Sequence, residues 1–280
     1  VKSIHWLGAA LLAVAPLAPA MAEPLEMFGN RLFLPVTVNG QASTALLDSG
    51  AEMTILDDDF AAKLGLASTG SATARGSGAN EMEASFAEGV AVDAAGVKLN
   101  QKVAILDLDE VLSRLIGRPV PMILGRELFD RARFRIDLEG GSIALADAAP
   151  ATGDPLPVTD QRGIPTIPAA IEGHGPVQAA FDLGNGSDVM VGRAYAEKIG
   201  LTSSDRIVER RSGGGLGGAV DRDIVRLKSL TLAGRTFHDV PAAIDPGETA
   251  TDLNIGTSIL KHFLITTDFA GRSVWLEPRE

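Results

Sequence analysis

"ALLDSGAEMTIL", residues 45–56, sets an acid between two apolar runs. Ala45, Leu46 and Leu47 lead into Asp48, and a second apolar run follows Gly50. An aspartate in such surroundings must be paired, hydrogen-bonded or protonated, because removing a bare carboxylate from water is costly. A tight turn, with the acid held by its own backbone and Gly50 supplying the unusual dihedrals, explains the same triplet. The triplet alone decides nothing, so the remainder of the chain must.

The chain repeats itself. Residues 31–66 are echoed at 163–201: "LLDSGA" is answered by "AFDLGN", and "KLGL" by "KIGL". Asp48 falls on Asp182 and Gly50 on Gly184. Each copy reads as a strand, a glycine-containing turn (Asn39-Gly40; Gly173-His174-Gly175), a strand entering the acid, and a short helix. The ends of the copies match without a gap, 123–145 over 254–276, at a constant offset of 131. Gly125 meets Gly256, Asp137 meets Asp268, Gly140 meets Gly271, Ser142 meets Ser273 and Leu145 meets Leu276. A general likeness among β-hairpins does not explain that shared order. Residues 147–162, rich in Pro, Gly and Asp without an apolar period, read as a linker. The expectation is a mainly β protein of two homologous lobes, 23–146 and 163–280, with short helices. One helix is expected over 108–117, where Leu108, Val111, Leu112 and Leu115 share a face.

Composition narrows the chemistry. The 280 residues contain no cysteine, which excludes disulfides, thiolate metal sites and a Cys nucleophile. The four histidines are scattered and form no metal-ligand pair, so neither a metal nor a cofactor is expected. A net charge of −11 argues against nucleic acid as a partner. At the N-terminus, Lys2, the apolar run 6–19 and Ala20-Met21-Ala22 read as an export signal cleaved after residue 22. That run is short for a membrane span and holds two prolines. The expectation is therefore a periplasmic protein without stable membrane insertion.

Two lobes that each bring one Asp-x-Gly turn suggest a pseudo-symmetric pair of acids at the lobe interface. Asp48 can then sit among apolar strands with Asp182 beside it and one water shared between them. Two carboxyls that close do not ionise independently, and they share a proton. One serves as general base on the water and the other as general acid on a carbonyl oxygen.

With these residues the chain resembles the retropepsin-like aspartyl proteases in their tandem, single-chain, exported bacterial form. The motifs are "LLDSGA" (46–51) and "PMILGRELF" (121–129), with weaker repeats "AFDLGN" (180–185) and "LNIGTSIL" (253–260). The resemblance implies an aspartic endopeptidase acting on protein or peptide as a monomer, with Asp48 and Asp182 catalytic. It implies support from Ser49, Gly50 and Gly184, and a hydrophobic-hydrophobic-Gly segment behind each catalytic loop. It also implies flaps. By position the candidates are Gly76, Ser77 and Gly78 in the first lobe and Gly213, Gly214 and Gly215 in the second, where a plain flexible loop is the competing reading. The second stretch matches G-x-G-x-x-G, but the expected lack of a preceding strand and following helix argues against a dinucleotide site. One departure stands out. The family places Ser or Thr after each acid to bond across the lobes, and Leu183 has no hydroxyl. A non-catalytic peptide-binding pair of lobes, or a homodimer using two copies of Asp48, are the rival readings.

Overall fold

The computed structural model describes residues 22–109, 116–248 and 250–279. Two eight-stranded sheets dominate, and their strand orders correspond one to one. In the first, the order is Glu26–Phe28, Arg31–Val38, Gln41–Leu47, Met122–Leu124, Ile55–Asp57, Val97–Leu106, Glu81–Ala94, Ser71–Arg75. In the second it is Thr159–Gln161, Ile164–Ile171, His174–Phe181, Leu253–Ile255, Val189–Gly192, Arg235–Asp245, Gly218–Leu232, Ile207–Gly215. Each sheet folds back on itself, since Arg31–Val38 also pairs with Glu81–Ala94, and Ile164–Ile171 with Gly218–Leu232. The protein is therefore mainly β and two-lobed.

Local chemistry accounts for the repeated hairpins. Val38 pairs with Gln41 across Asn39-Gly40, whose φ values are 49° and 81°. Ile171 pairs with His174 across Glu172-Gly173, at 54° and 77°. Two positive φ values in a two-residue loop match the right-handed twist of the flanking strands. The second turn thus lies one residue earlier than the sequence reading placed it, and His174-Gly175 belong to the strand. Both strands entering these turns bury the same positions: Val36 and Val38 point inward in one, Ala169 and Ile171 in the other. The expected helix over 108–117 lies largely outside the described residues.

A third sheet joins the lobes. Its six strands run Glu23–Pro24, Ser142–Leu145, Phe134–Asp137, Phe263–Asp268, Ser273–Pro278, Leu156–Pro157. Arg135 pairs with Thr266, its own counterpart at the offset of 131, so the pseudo-twofold axis passes between them. Leu156–Pro157 and Thr159–Gln161, within the stretch read as linker, are short edge strands, and Val158 between them is buried. Above this sheet, Phe134 meets Phe129 edge-on at 5.9 Å, and Phe269 contacts Phe129 and Phe181 at 5.3 and 6.2 Å. One apolar core therefore runs from lobe to lobe and ends beneath the two acids.

Candidate active site

Each acid emerges from a strand that is clamped on both sides. Gln41–Leu47 lies parallel to Met122–Leu124, with Leu46 opposite Ile123 and Leu47 opposite Leu124. Asp48 continues the ladder, its amide donating to the Leu124 carbonyl at 3.0 Å. In the second lobe Ala180 lies opposite Asn254, Phe181 opposite Ile255, and the Asp182 amide donates to the Ile255 carbonyl at 3.1 Å. The turns then fold over their own acids. Asp48 Oδ1 accepts from the Gly50 and Ala51 amides at 2.8 and 3.1 Å. Asp182 Oδ1 accepts from the Gly184 and Asn185 amides at 2.9 and 3.0 Å.

The lobes bring these turns face to face, close enough for each carboxyl to perturb the other's ionisation. The glycines make this possible. A Cβ at Gly184 would overlap the Asp48 carboxyl, and one at Gly50 would lie 3.2 Å from Asp182 Cγ. Each lobe's glycine is the floor on which the other lobe's acid rests. Ser49 lies fully buried beneath them. Its Oγ donates to the Phe181 carbonyl at 2.8 Å and accepts from the Leu183 amide at 3.0 Å. Leu183, equally buried, supplies no reciprocal bond, so the cross-lobe lock is one-sided.

Burial pushes Asp48 up to about 7, with the neighbouring Asp182 charge acting the same way. Burial raises Asp182 too, but against several hydrogen bonds that favour its charged form. One of these was not foreseen. Asn254 Nδ2 donates to Asp182 Oδ2 at 2.7 Å, and Asn254 Oδ1 accepts from Asn185 Nδ2 at 2.8 Å. The only hint in the sequence was the imperfect hydrophobic-hydrophobic-Gly match at Asn254-Ile255-Gly256. Arg31 was also missed; its guanidinium is disfavoured by burial and supported by the charges of Asp182 and Asp48.

The flap candidates come together. Gly76, Ser77 and Gly78 form the tip between Ser71–Arg75 and Glu81–Ala94, while Gly213, Gly214 and Gly215 end the strand Ile207–Gly215. The expected lack of a strand before the second glycine run is thereby corrected: the run is itself half of a hairpin, and no helix follows it. The tips bond to each other, Gly78 N to Leu216 O and Asn80 N to Gly217 O, both at 2.8 Å. Leu216 packs against a first-lobe apolar cluster containing Leu46, Ile123, Ala51 and Met53, which flank Asp48. The buried Arg222 guanidinium secures the crossing by donating to the Ser77 carbonyl at 3.0 Å. Among the described residues, Asp57, Asp58 and Asp107 gather carboxylate oxygens outside this cleft. No helix among the described residues is long and apolar enough to cross a membrane.

Two β lobes that each deliver an Asp-x-Gly turn to one shared cleft define a bilobal molecule of the aspartyl protease class. A family model described as "Aspartyl protease" matches residues 34–128 and again 167–259, more than half of the sequence. The chain belongs to this family, in a tandem retropepsin-like arrangement. It is also 30% identical over 168 residues to the UBA domain-containing protein Mud1 of Schizosaccharomyces pombe. That match covers 57% of this chain and 44% of the relative, so the chain spans less than half of that protein's length.

Proposed function

We propose that the protein is an aspartic endopeptidase that cleaves peptide bonds with a water activated between Asp48 and Asp182. The observation that carries this reading is the reciprocal packing of each carboxyl on the other lobe's glycine, which sets the two acids side by side. Paired acids of this kind keep one proton between them, as general acid–base work on a carbonyl requires. Ser49 and the four turn amides orient the pair. The crossed hairpins serve as flaps that must part to admit an extended peptide and then close on its backbone.

The chain acts as a monomer in this reading, because its second lobe already occupies the surface that a second copy of the first lobe would need. Export to the periplasm with cleavage after residue 22 belongs to the same proposal, supported by the short apolar run and Ala20-Met21-Ala22. N-terminal sequencing of the exported protein tests that point, and an uncleaved membrane-bound form would refute it. The activity is tested by incubating the protein with a mixed peptide library at mildly acidic to neutral pH, with and without pepstatin. Cleavage should be abolished in both Asp48→Asn and Asp182→Asn. A wild type that cleaves nothing points instead to a peptide-binding pair of lobes. Full activity in Asp182→Asn with none in Asp48→Asn points to a dimer of first lobes.

A further inference from the structure

The repeat makes the two lobes nearly equivalent around the acids, so any difference in the polar groups touching the carboxyls has chemical meaning. The inner oxygens are equivalent, each accepting two turn amides. The outer oxygens are not. At the position facing Leu46 the first lobe has Ile123, which offers no hydrogen bond. At the position facing Ala180 the second lobe has Asn254, whose amide reaches Asp182 Oδ2 at 2.7 Å. Offset by 131, these are the same place in the fold.

The orientation of that amide follows from its neighbours. The Ser187 backbone N–H donates at 2.9 Å to Asn185 Oδ1. A backbone amide can only donate, so that atom is the Asn185 oxygen and the other must be its NH2 group. The NH2 group in turn donates to Asn254 Oδ1 at 2.8 Å and to the Asp188 carbonyl at 3.4 Å. Asn254 is therefore left with its own NH2 group aimed at Asp182. Asn185 is almost fully buried, so the chain of donors is shielded from exchange with water.

We propose that Asn254 is a positioning residue that polarises the pair, fixing Asp182 as the carboxylate and Asp48 as the acid that carries the shared proton. Asp182 accepts three protein donors, which favour its charged form in the resting pair. Asp48 accepts only its two turn amides, both on Oδ1, so among the described residues its outer oxygen has no donor and is the one left to carry the shared proton. Electrostatics agree in direction: desolvation and the neighbouring charge raise Asp48, while Asn254 is the foremost hydrogen bond lowering Asp182. The charges of both acids also act on the partly buried Arg31 guanidinium.

The assignment rests on the protease reading for its catalytic meaning, and there it gives each acid one task. The water oxygen bonds to the substrate carbonyl carbon while a water proton passes to Asp182 and the Asp48 proton passes to the carbonyl oxygen. A neutral gem-diol results, with Asp48 ionised and Asp182 protonated. When the C–N bond breaks, Asp182 gives its proton to the leaving nitrogen and a gem-diol hydroxyl returns a proton to Asp48. Both acids end as they began.

The test is a carbon-13 NMR titration of the aspartate side-chain carboxyls in the full chain, each assigned through its own backbone amide. It needs neither substrate nor activity. In wild type the lower apparent ionisation of the coupled pair should be read mainly at Asp182 and the upper at Asp48. In Asn254→Ile, which installs the first-lobe residue, the lower ionisation should rise by about one to two pH units. The acid limb of kcat/KM should move with it. Asn254→Ala serves if the isoleucine variant does not fold. A purely structural role would lower activity at all pH values without moving either ionisation. Ionisation of Asp48 before Asp182 in wild type, or a lower ionisation unmoved in the folded variant, overturns the proposal. A wild type that cleaves no peptide while Asp182 still ionises first sinks the protease reading and leaves the asymmetry standing.

Discussion

Asp48 carries a pronounced pH signature. Its ionisation is pushed from an ordinary 3.8 up to about 7, first by burial and then by the Asp182 charge. A raised carboxyl binds its proton more tightly when folded than when unfolded. Its contribution to stability is therefore complete below the ordinary carboxylate range and is lost as pH rises toward about 7. Thermal melts should show wild type losing stability across that window more steeply than Asp48→Asn, whose neutral amide cannot ionise. Cleavage should fall on the alkaline side as pH passes about 7, because the acid on the carbonyl oxygen is then gone. A pH–rate profile with no alkaline fall near that value contradicts the assignment. Leu183 poses a different question at the same scale. Leu183→Thr would complete the cross-lobe lock with Ser49, a gain of about 1 kcal/mol net. It would also remove buried apolar volume, and truncating a fully buried leucine to alanine costs about 2–5 kcal/mol. The second effect is larger. Calorimetry should show a net loss of about 1–3 kcal/mol, while cleavage is retained.

Among the elements, the crossed hairpins are the pair whose contacts must break if the cleft admits a peptide as proposed. Glycine is required where the two tips touch. A Cβ at Gly76 would overlap Leu216, and one at Gly78 would overlap the Gly217 backbone. Gly78→Val should therefore hold the tips apart without disturbing either lobe's core. Hydrogen exchange reads this directly. The amides of residues 78 and 80, which donate across the lobes in wild type, should exchange about tenfold faster or more in the variant. Unchanged protection at those amides would show that the crossing survives. The supporting loops are less adaptable. Thr54 is fully buried, accepts from the Gly125 amide and Gln101 Nε2 at 3.2 and 2.9 Å, and donates to Glu127 at 3.2 Å. Removing its hydroxyl leaves buried partners unsatisfied, and Thr54→Val should cost about 1–3 kcal/mol in denaturant melts.

At the scale of the whole molecule, the lobes are not independent units. The central strands Phe134–Asp137 and Phe263–Asp268 bond across the pseudo-twofold axis, and the aromatic contacts over them run from Phe134 to Phe181. Arg133 of one lobe also pairs with Asp268 of the other at 2.5 Å. Unfolding one lobe would expose the shared sheet and half of a continuous core. Scanning calorimetry should accordingly record one transition, with van't Hoff and calorimetric enthalpies in agreement. Two resolved transitions would show that the lobes fold separately.

Much of this was legible in the residues alone. The 131-residue offset and the matched Asp48 and Asp182 turns led to a two-lobed β molecule with a pair of acids, because turn chemistry and apolar alternation are local properties. The crossed hairpin tips were legible only as glycine-rich stretches, since glycine marks freedom and not the partner that uses it. The joining sheet was legible as a repeat but not as a shared structure, because pairing of Arg135 with Thr266 depends on how two halves dock. Asn254 marks the limit most clearly. In the sequence it is one polar residue in an otherwise apolar motif; in the structure it touches Asp182 and distinguishes two acids that the repeat makes alike. That contact joins residues 72 apart in the chain, and its direction is set by a hydrogen-bond chain through Asn185 and Ser187. Local sequence determines which groups are available, and only tertiary packing decides which of them meet.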